Sequence, residues 1–302
     1  MKTSSWMIIL LIVISLVIGG FLTFYFNASG QIQSGGRSRS YLLYVPDSYD
    51  AEKPNPLVIS IHGFAQWPAH QQWLSGWNRL ADENGFLVVY PRGTGFPLRW
   101  QVGPLEEDLE KTQQEVEFFD DLIDHLSQTY NIDQNRIYVN GMSNGGGMTH
   151  LLACQLSDRF TAFGSVAGAY LYPGDCVQFS EEVPWIAFHG LDDPIVPYQG
   201  GETRHHQQGI EFPAIESWIA AWAEVNGCDL NPEREKITPE VTRIGYSGCL
   251  QNIELVLYRI AGAGHTWPGG GWLPVWLTGK TNRDINATKL MWDFFQETTL
   301  HK

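Results

Sequence analysis

Three short stretches of this chain are almost entirely apolar, and they constrain the fold more than any other feature. They cover residues 57–61, 86–90 and 185–188. Strands buried on both faces have this continuous pattern, whereas strands with one exposed face alternate apolar and polar residues. Segments with helical spacing lie between the apolar stretches. The sequence therefore predicts an α/β domain, with helices on both faces of a mostly parallel sheet.

The other predicted elements follow the same alternation of strands and helices. Predicted strands cover residues 41–46, 57–61, 86–90, 136–140, 163–166, 185–188 and 254–259. Predicted helices cover residues 115–130, 144–156, 213–225 and 284–298. Residues 93–108 and 170–182 are irregular and contain Gly and Pro, which predicts loops. The first of these loops is expected to lie over a functional site.

One serine lies between a predicted strand and a predicted helix. The strand ends at Asn140, and Gly141-Met-Ser143-Asn-Gly145 follows it. In a G-x-S-x-G turn the glycines let strand and helix approach closely, and the helix N-terminus stabilises developing negative charge. A glycine-rich structural turn would contain the same residues. The strand–turn–helix setting favours Ser143 as a nucleophile.

A serine hydroxyl needs a base, and His265 is the candidate. It follows the last predicted strand after the small residues at 261–264, which allow a loop to bring the imidazole over the serine. The acid is expected after the preceding strand, where Asp193 is preferred and Asp192 is the alternative. The carboxylate would hold the His265 tautomer. His189, at the end of that strand, is interpreted as a structural histidine.

The loop after the strand at 57–61 is the candidate oxyanion loop. It begins His62-Gly63-Phe64. A backbone N–H from this loop normally joins the N–H that follows the nucleophile. The predicted donors are therefore Phe64 and Asn144. An ordinary turn at the end of a strand is the alternative.

The N-terminus has an uncharged, mostly apolar run at residues 6–26, preceded by Lys2. That length could span a bilayer, and it could equally be the core of a signal peptide. Residues 1–30 are accordingly predicted to be a signal peptide or membrane anchor, and residues 31–302 a single exported domain. A buried N-terminal helix is the alternative.

The four cysteines are Cys154, Cys176, Cys228 and Cys249. An even number in an exported chain predicts two disulfides. Three pairings are possible, and Cys154–Cys176 with Cys228–Cys249 closes the two shortest loops. Four buried free thiols are the alternative. The chain contains no C-x-x-C spacing, so a zinc site is not expected.

Charge excludes one class of partner. The net charge is −14, from 33 acidic and 19 basic residues. This sign argues against nucleic acid, whose phosphates need Lys and Arg. His205 and His206 are adjacent in a polar stretch, and they are interpreted as solvated rather than metal-binding. The sequence predicts neither a metal nor an organic cofactor.

Five segments together resemble the extracellular polyhydroxybutyrate depolymerase-like esterases, which overlap with the feruloyl and acetylxylan esterases of the first carbohydrate esterase family. The segments are IHGFAQ at 61–66, GFLVVYPRGT at 85–94, YNIDQNRIYVNGMSNGGGM at 130–148, FHGLDDPIVPYQGG at 188–201 and YRIAGAGHTWPGG at 258–270. The resemblance extends over roughly residues 40–298. It implies an α/β-hydrolase fold.

The resemblance also implies an activity and assigns residues to it. A carboxylic-ester hydrolase that forms an acyl-enzyme would use Ser143 as nucleophile, His265 as base and, from the family's HG-x-x-D-P pattern, Asp193 as acid. The family also supports the pairing Cys228–Cys249. Hydroxyalkanoate (polyhydroxybutyrate-type) oligomers are the expected substrates, with feruloyl or acetylxylan esters as the alternative. A catalytically silent binding protein on the same fold is a third interpretation.

One loop departs from the family pattern. Many members have Trp-Asn with paired cysteines after the fourth strand, whereas this chain has Arg99-Trp100-Gln101 and then an acidic stretch without cysteine. Trp100 and Trp267 are the candidate substrate-binding residues. The sequence has no appended polymer-binding module, so a small or oligomeric ester is favoured over crystalline polymer.

Overall fold

A computed structural model describes Leu10 and residues 28–102, 109–170, 182–202 and 211–298. The strands in these ranges are β1 Gly30–Ser34, β2 Arg37–Tyr44, β3 Asn55–Ile61, β4 Leu87–Pro91, β5 Ile132–Met142, β6 Ala162–Val166, β7 Trp185–Gly190, β8 Gly201–Glu202, β9 Glu211–Phe212, β10 Glu233–Lys236, β11 Val241–Tyr246 and β12 Leu255–Ile260. The α-helices are α1 Pro68–Ser75, α2 Trp77–Asn84, α3 Leu109–Thr129, α4 Asn144–Gln155, α5 Ile215–Val225, α6 Val275–Thr278 and α7 Ala287–Glu297. Two 3₁₀ turns lie at Ser157–Arg159 and Leu250–Asn252.

Ten of these strands form one sheet, in the order β1-β2-β4-β3-β5-β6-β7-β12-β11-β10. The six central strands, from β4 to β12, are parallel to one another. Antiparallel strands flank them on both sides, β1 and β2 at one edge and β11 and β10 at the other. The predicted α/β class with a mostly parallel sheet is confirmed.

The apolar strands supply the core on both faces of the sheet. Every residue of β3, β4, β6 and β7 is buried. Successive side chains of a strand point to opposite faces. Accordingly, Ile59 packs in the same apolar cluster as Phe119 of α3, whereas its neighbour Val58 packs in the cluster that contains Trp77 of α2 and Phe295 of α7. Helices thus cover both faces, as the continuous apolar runs predict.

The predicted site residues follow the carboxyl ends of the parallel strands. Ser143 follows β5, Asp193 follows β7 and His265 follows β12. The carboxyl ends of parallel strands lie at one edge of a sheet, where open α/β sheets bind their ligands. Backbone hydrogen bonds continue along this edge from Ser143 N–H to Val166 O (3.0 Å), from Ala167 N–H to Phe188 O (2.8 Å) and from Leu191 N–H to Ile260 O (2.8 Å).

The N-terminal prediction falls outside the described residues, since only Leu10 of residues 6–26 is described. None of the helices in the described ranges is both long and apolar enough to cross a membrane. Parts of the two predicted loops, residues 103–108 and 171–181, also lie outside the described ranges.

One predicted disulfide joins Cys228, just after α5, to Cys249, just before β12. This confirms that pairing. Cys154 is also disulfide-bonded. Its predicted partner, Cys176, lies outside the described residues.

Candidate active site

Ser143 lies on a turn with an unusual backbone conformation. Its φ is 55° and its ψ is −120°, a combination that costs free energy for a residue with a side chain. The surrounding backbone holds this conformation. Besides the bond from its N–H to Val166, the Ser143 carbonyl accepts from Gly147 N–H (3.0 Å) and from Ala169 N–H (2.9 Å). The turn is therefore fixed from both sides.

The glycines of the turn are required by close backbone packing. A Cβ atom at Gly141 would lie 2.2 Å from the carbonyl oxygen of Gly145. A Cβ atom at Gly145 would lie 2.3 Å from the carbonyl oxygen of Ile61, at the end of β3. Both distances are too short for any side chain. The backbone of the serine turn therefore packs directly against the strand that leads into the candidate oxyanion loop.

The structure brings Asp193 and His265 together. Asp193 Oδ2 lies 2.8 Å from His265 Nδ1. Asp193 Oδ1 accepts from the N–H groups of Ile195 and Val196, each at 2.8 Å. Since the carboxylate can only accept, His265 Nδ1 carries the proton and Nε2 is left as the basic nitrogen. This is the tautomer that a general base needs.

The environment of Asp193 favours its ionised form. Burial by itself would raise the pKa of the Asp193 carboxyl, but His265, His189 and the Val196 N–H outweigh burial and hold the pKa below its ordinary value. His189 Nε2 lies 3.4 Å from Asp193 Oδ2 and 3.0 Å from the Val196 carbonyl oxygen. The carbonyl cannot donate, so Nε2 is protonated. Burial is the main reason why the pKa of His189 is lowered.

Asp192, the alternative acid, has a different environment. Its side chain is exposed, whereas that of Asp193 is buried. Within the described ranges, its carboxylate has no hydrogen-bond or ion-pair partner. The geometry therefore supports Asp193 as the partner of His265.

Phe64 and Asn144 each present a backbone N–H at this edge. In the loop after β3, Gly63 N–H donates to Gln66 Oε1 (3.0 Å) and Ala65 N–H donates to Leu98 O (2.8 Å). In the parts of the chain that the structure describes, the N–H of Phe64 between them has no protein acceptor. The same is true of the N–H of Asn144, the first residue of α4. Two unpaired donors on adjoining backbone segments suit an oxyanion.

The sequence of this chain is similar to those of known esterases. Residues 39–177 match the family described as esterase, PHB depolymerase. The chain matches the PHB depolymerase family of esterases. The resemblance read from the five sequence segments is therefore confirmed.

Two curated relatives are also esterases, and one solved structure shares the fold. The chain is 29% identical over 234 residues to a bifunctional acetylxylan esterase/xylanase of Neocallimastix patriciarum, covering 76% of this chain and 31% of the relative. It is 29% identical over 244 residues to feruloyl esterase B of Piromyces equi, covering 78% and 44%. The chain thus spans less than half the length of these two relatives. An acetyl xylan esterase from Aspergillus awamori has the same fold, with a TM-score of 0.62 and 18% identity over 88% of this chain and 98% of that one. The α/β-hydrolase fold is confirmed.

The two tryptophans predicted to bind substrate, Trp100 and Trp267, are both buried. Trp267 is fully buried, and its indole N–H donates to Thr288 Oγ1 (2.9 Å). Trp100 is 2% exposed, and its ring packs on His62 and Phe119. Neither ring offers a face to a ligand, which argues against a substrate-stacking role for both. Residue type and loop position alone do not reveal which way an indole points.

Other aromatic side chains are exposed near the site. Phe64 is 45% exposed, and Phe96 is 88% exposed in the loop after β4. Trp276 is 85% exposed on α6, and the Thr278 carbonyl of the same helix accepts from His265 N–H (2.6 Å). These side chains give the rim of the site an apolar character that sequence reasoning missed.

The described residues contain no group of three or more His, Cys, Asp or Glu side chains that could hold a metal ion. His205 and His206 lie outside those residues.

Proposed function

We propose that this protein is a serine carboxylic-ester hydrolase. The hydrogen bond between Asp193 and His265 carries the proposal, because it prepares a basic nitrogen at the sheet edge where Ser143 sits on its strained turn. The unpaired N–H groups of Phe64 and Asn144 and the match to a family of esterases also support it.

The proposed reaction has two halves that share the same groups. Ser143 Oγ attacks the ester carbonyl carbon while His265 Nε2 takes the hydroxyl proton. The carbonyl oxygen becomes an oxyanion that accepts from the N–H groups of Phe64 and Asn144. Collapse breaks the bond to the alkoxide, which receives the proton from His265 and leaves as an alcohol. Water then attacks the acyl-enzyme, gives its proton to His265 and releases the carboxylic acid, and the proton returns to Ser143.

For the substrate, we propose esters of hydroxyalkanoate oligomers, as the PHB depolymerase family suggests. The exposed rings of Phe64, Phe96 and Trp276 fit an ester with apolar groups. The alternative, feruloyl or acetylxylan esters, is supported by the 29% identity to an acetylxylan esterase/xylanase and to a feruloyl esterase. Initial hydrolysis rates on hydroxybutyrate oligomers, feruloyl esters, acetylated xylan and p-nitrophenyl esters distinguish the two. Higher kcat/KM for either plant ester than for the oligomers would replace the first assignment with the second.

The test of the activity itself is Ser143→Ala. Loss of a nucleophile in this class costs about 10⁴–10⁶ in rate, so we expect hydrolysis near background and no labelling by a fluorophosphonate probe. Ser247→Ala is the matched control, because Ser247 is an exposed serine in the connection between β11 and β12, away from the site. A Ser143→Ala variant that keeps a tenth of the wild-type rate would rule out this nucleophile.

Export of the protein is also part of the proposal. Lys2 followed by the apolar run at 6–26 supports it, as does the disulfide Cys228–Cys249, since structural disulfides persist in oxidising compartments. N-terminal sequencing of the protein recovered from the medium and from membranes separates cleavage from anchoring. Recovery of the protein in the reducing cytoplasm alone would overturn export.

A further inference from the structure

The loop at residues 93–100, here called the clamp loop, is tied to both backbone segments that present the proposed oxyanion donors. Thr94 and Arg99 pair across it with two backbone hydrogen bonds of 2.9 Å. Leu98 O accepts from Ala65 N–H in the segment of the first donor, Phe64. The clamp loop is therefore closed on itself and attached to the loop after β3.

The side chain of Asn144 attaches the clamp loop to the second donor. Trp100 N–H donates to Asn144 Oδ1 (2.7 Å), and Asn144 Nδ2 donates to Trp100 O (3.1 Å). This is a two-point amide pair between one side chain and one residue's backbone. It restrains Asn144, the residue whose own N–H faces the proposed oxyanion.

The side chain of Trp100 completes the link to the first segment. Its buried indole N–H donates to the carbonyl oxygen of His62 (2.9 Å), two residues before Phe64. The His62 ring lies against the same indole, with centroids 5.2 Å apart, and its Nε2 accepts from Gly93 N–H (3.0 Å). Trp100 is thus bonded to the segments of both donors, through its indole on one side and its backbone on the other.

We propose that Trp100 and the carboxamide of Asn144 are positioning residues that fix the distance between the N–H groups of Phe64 and Asn144. The inference rests on the proposed ester hydrolysis. It assigns a purpose to a loop whose sequence departs from the family pattern, and it replaces the substrate-stacking role predicted for Trp100. Donors stabilise an oxyanion only if they are in place before charge develops, so a small displacement lowers the rate more than it weakens substrate binding.

The test uses Trp100→Phe, which keeps most of the ring and removes the indole donor, and Asn144→Ala, which removes the amide pair but keeps the backbone N–H. We expect each to lower kcat by about 10- to 100-fold with KM within about threefold, which is less than the loss of a whole oxyanion donor. Binding of phenylboronic acid, which adds to the serine and places an oxygen in the oxyanion site, should weaken in parallel with kcat. The double variant should lose much less than the product of the two single losses, because both substitutions break one linkage.

Trp185→Phe is the matched control. Trp185 is buried at the start of β7, at the edge of the sheet opposite the site, and its indole N–H donates to Ser165 Oγ (3.2 Å). The Trp185→Phe variant should have a lower free energy of unfolding than the wild type and an unchanged kcat per folded molecule. If Trp100→Phe does not fold, the half-buried Asn144→Ala decides alone. Variants within threefold of wild-type kcat, or losses matched by the Trp185→Phe control, would overturn the proposal. Failure of the proposed function is seen separately, as a wild-type protein that hydrolyses no ester.

Discussion

At the scale of single residues, both oxygens of the Asp193 carboxylate are fixed by hydrogen-bond partners. His265 binds one oxygen, the N–H groups of Ile195 and Val196 bind the other, and His189 lies 3.4 Å from the first. Pro194 also restricts the backbone of Asp193. A group this constrained can orient the imidazole without rotating away, while the exposed Asp192 beside it lacks such contacts.

The two adjacent aspartates give a matched pair of variants. Asp193→Asn keeps the shape but favours the wrong imidazole tautomer, which costs about 10⁴ in a serine protease. We expect a loss of roughly 10²–10⁴ in kcat here, and less than about tenfold for Asp192→Asn, as for a surface charge. Steady-state kinetics on one p-nitrophenyl ester measure both. A crippled Asp192→Asn with a mild Asp193→Asn would show that the acid is misassigned while the esterase proposal survives.

Sequence reasoning could place Ser143, Asp193 and His265 at one edge of the sheet, because each follows a strand with a strong apolar signal. Chain order and strand ends are enough for that inference in a parallel sheet. It could not assign the roles of Asn144's carboxamide or Trp100, since both depend on where a loop folds back. It also could not show that Trp267 is buried, because an indole suits a core and a binding surface equally well.

At the scale of elements, the disulfide Cys228–Cys249 ties the end of α5 to the start of β12. The start of β12 is paired with Trp185 at the start of β7, so this link lies at the edge of the sheet opposite the site. It is therefore expected to contribute to stability without contributing to catalysis.

Replacing both Cys228 and Cys249 by Ser should separate those two effects. The bridge spans a sequence separation of 21 residues, and the chain-entropy account gives about 3 kcal/mol for a loop of this size. Urea unfolding should show a loss of roughly 2–4 kcal/mol, while kcat per folded molecule stays within about twofold. A large fall in kcat with unchanged unfolding would contradict this separation.

Elements with continuous apolar signals were predictable, and polar edge elements were not. The buried strands β3, β4 and β7 were placed to within two residues, because burial on both faces leaves little room for polar residues. Strand β10 reads EREK and is fully exposed, so its pairing with β11 leaves no hydrophobic pattern. Helix α2 is only eight residues long, and its apolar side consists of Trp77, Leu80 and Ala81 alone, which is too short a pattern to predict a helix.

At the scale of the whole molecule, buried histidines make stability depend on pH. His62 is completely buried, and burial lowers its pKa from 6.5 to about 4, despite the favourable carbonyl of Gly63. The pKa of His189 is also lowered, chiefly by burial. Both histidines are therefore neutral in the folded protein at pH values where they are protonated in the unfolded chain. The pKa of Asp193 is lowered as well. The stability that this carboxylate contributes is lost only as the pH falls below its unfolded pKa of about 3.9, which is more acidic than the pH values at which the histidines titrate.

We expect the free energy of unfolding to fall as pH is lowered from about 6.5 to about 4, because the unfolded state binds more protons across that window. His62 alone accounts for a loss on the order of 3 kcal/mol, from a shift between 6.5 and about 4. The net charge of −14 works in the opposite direction, since protonation of surface carboxylates relieves repulsion on acidification. The buried histidines should dominate, because the surface charges are screened by salt and water.

Urea midpoints at pH 7.5, 6, 5 and 4 in 0.15 M salt measure how steeply the free energy of unfolding changes with pH. His62→Gln should reduce this slope by up to about 1.4 kcal/mol per pH unit. A wild-type protein that gains stability through this window, or a variant with the wild-type slope, would show that the buried imidazole does not control acid stability.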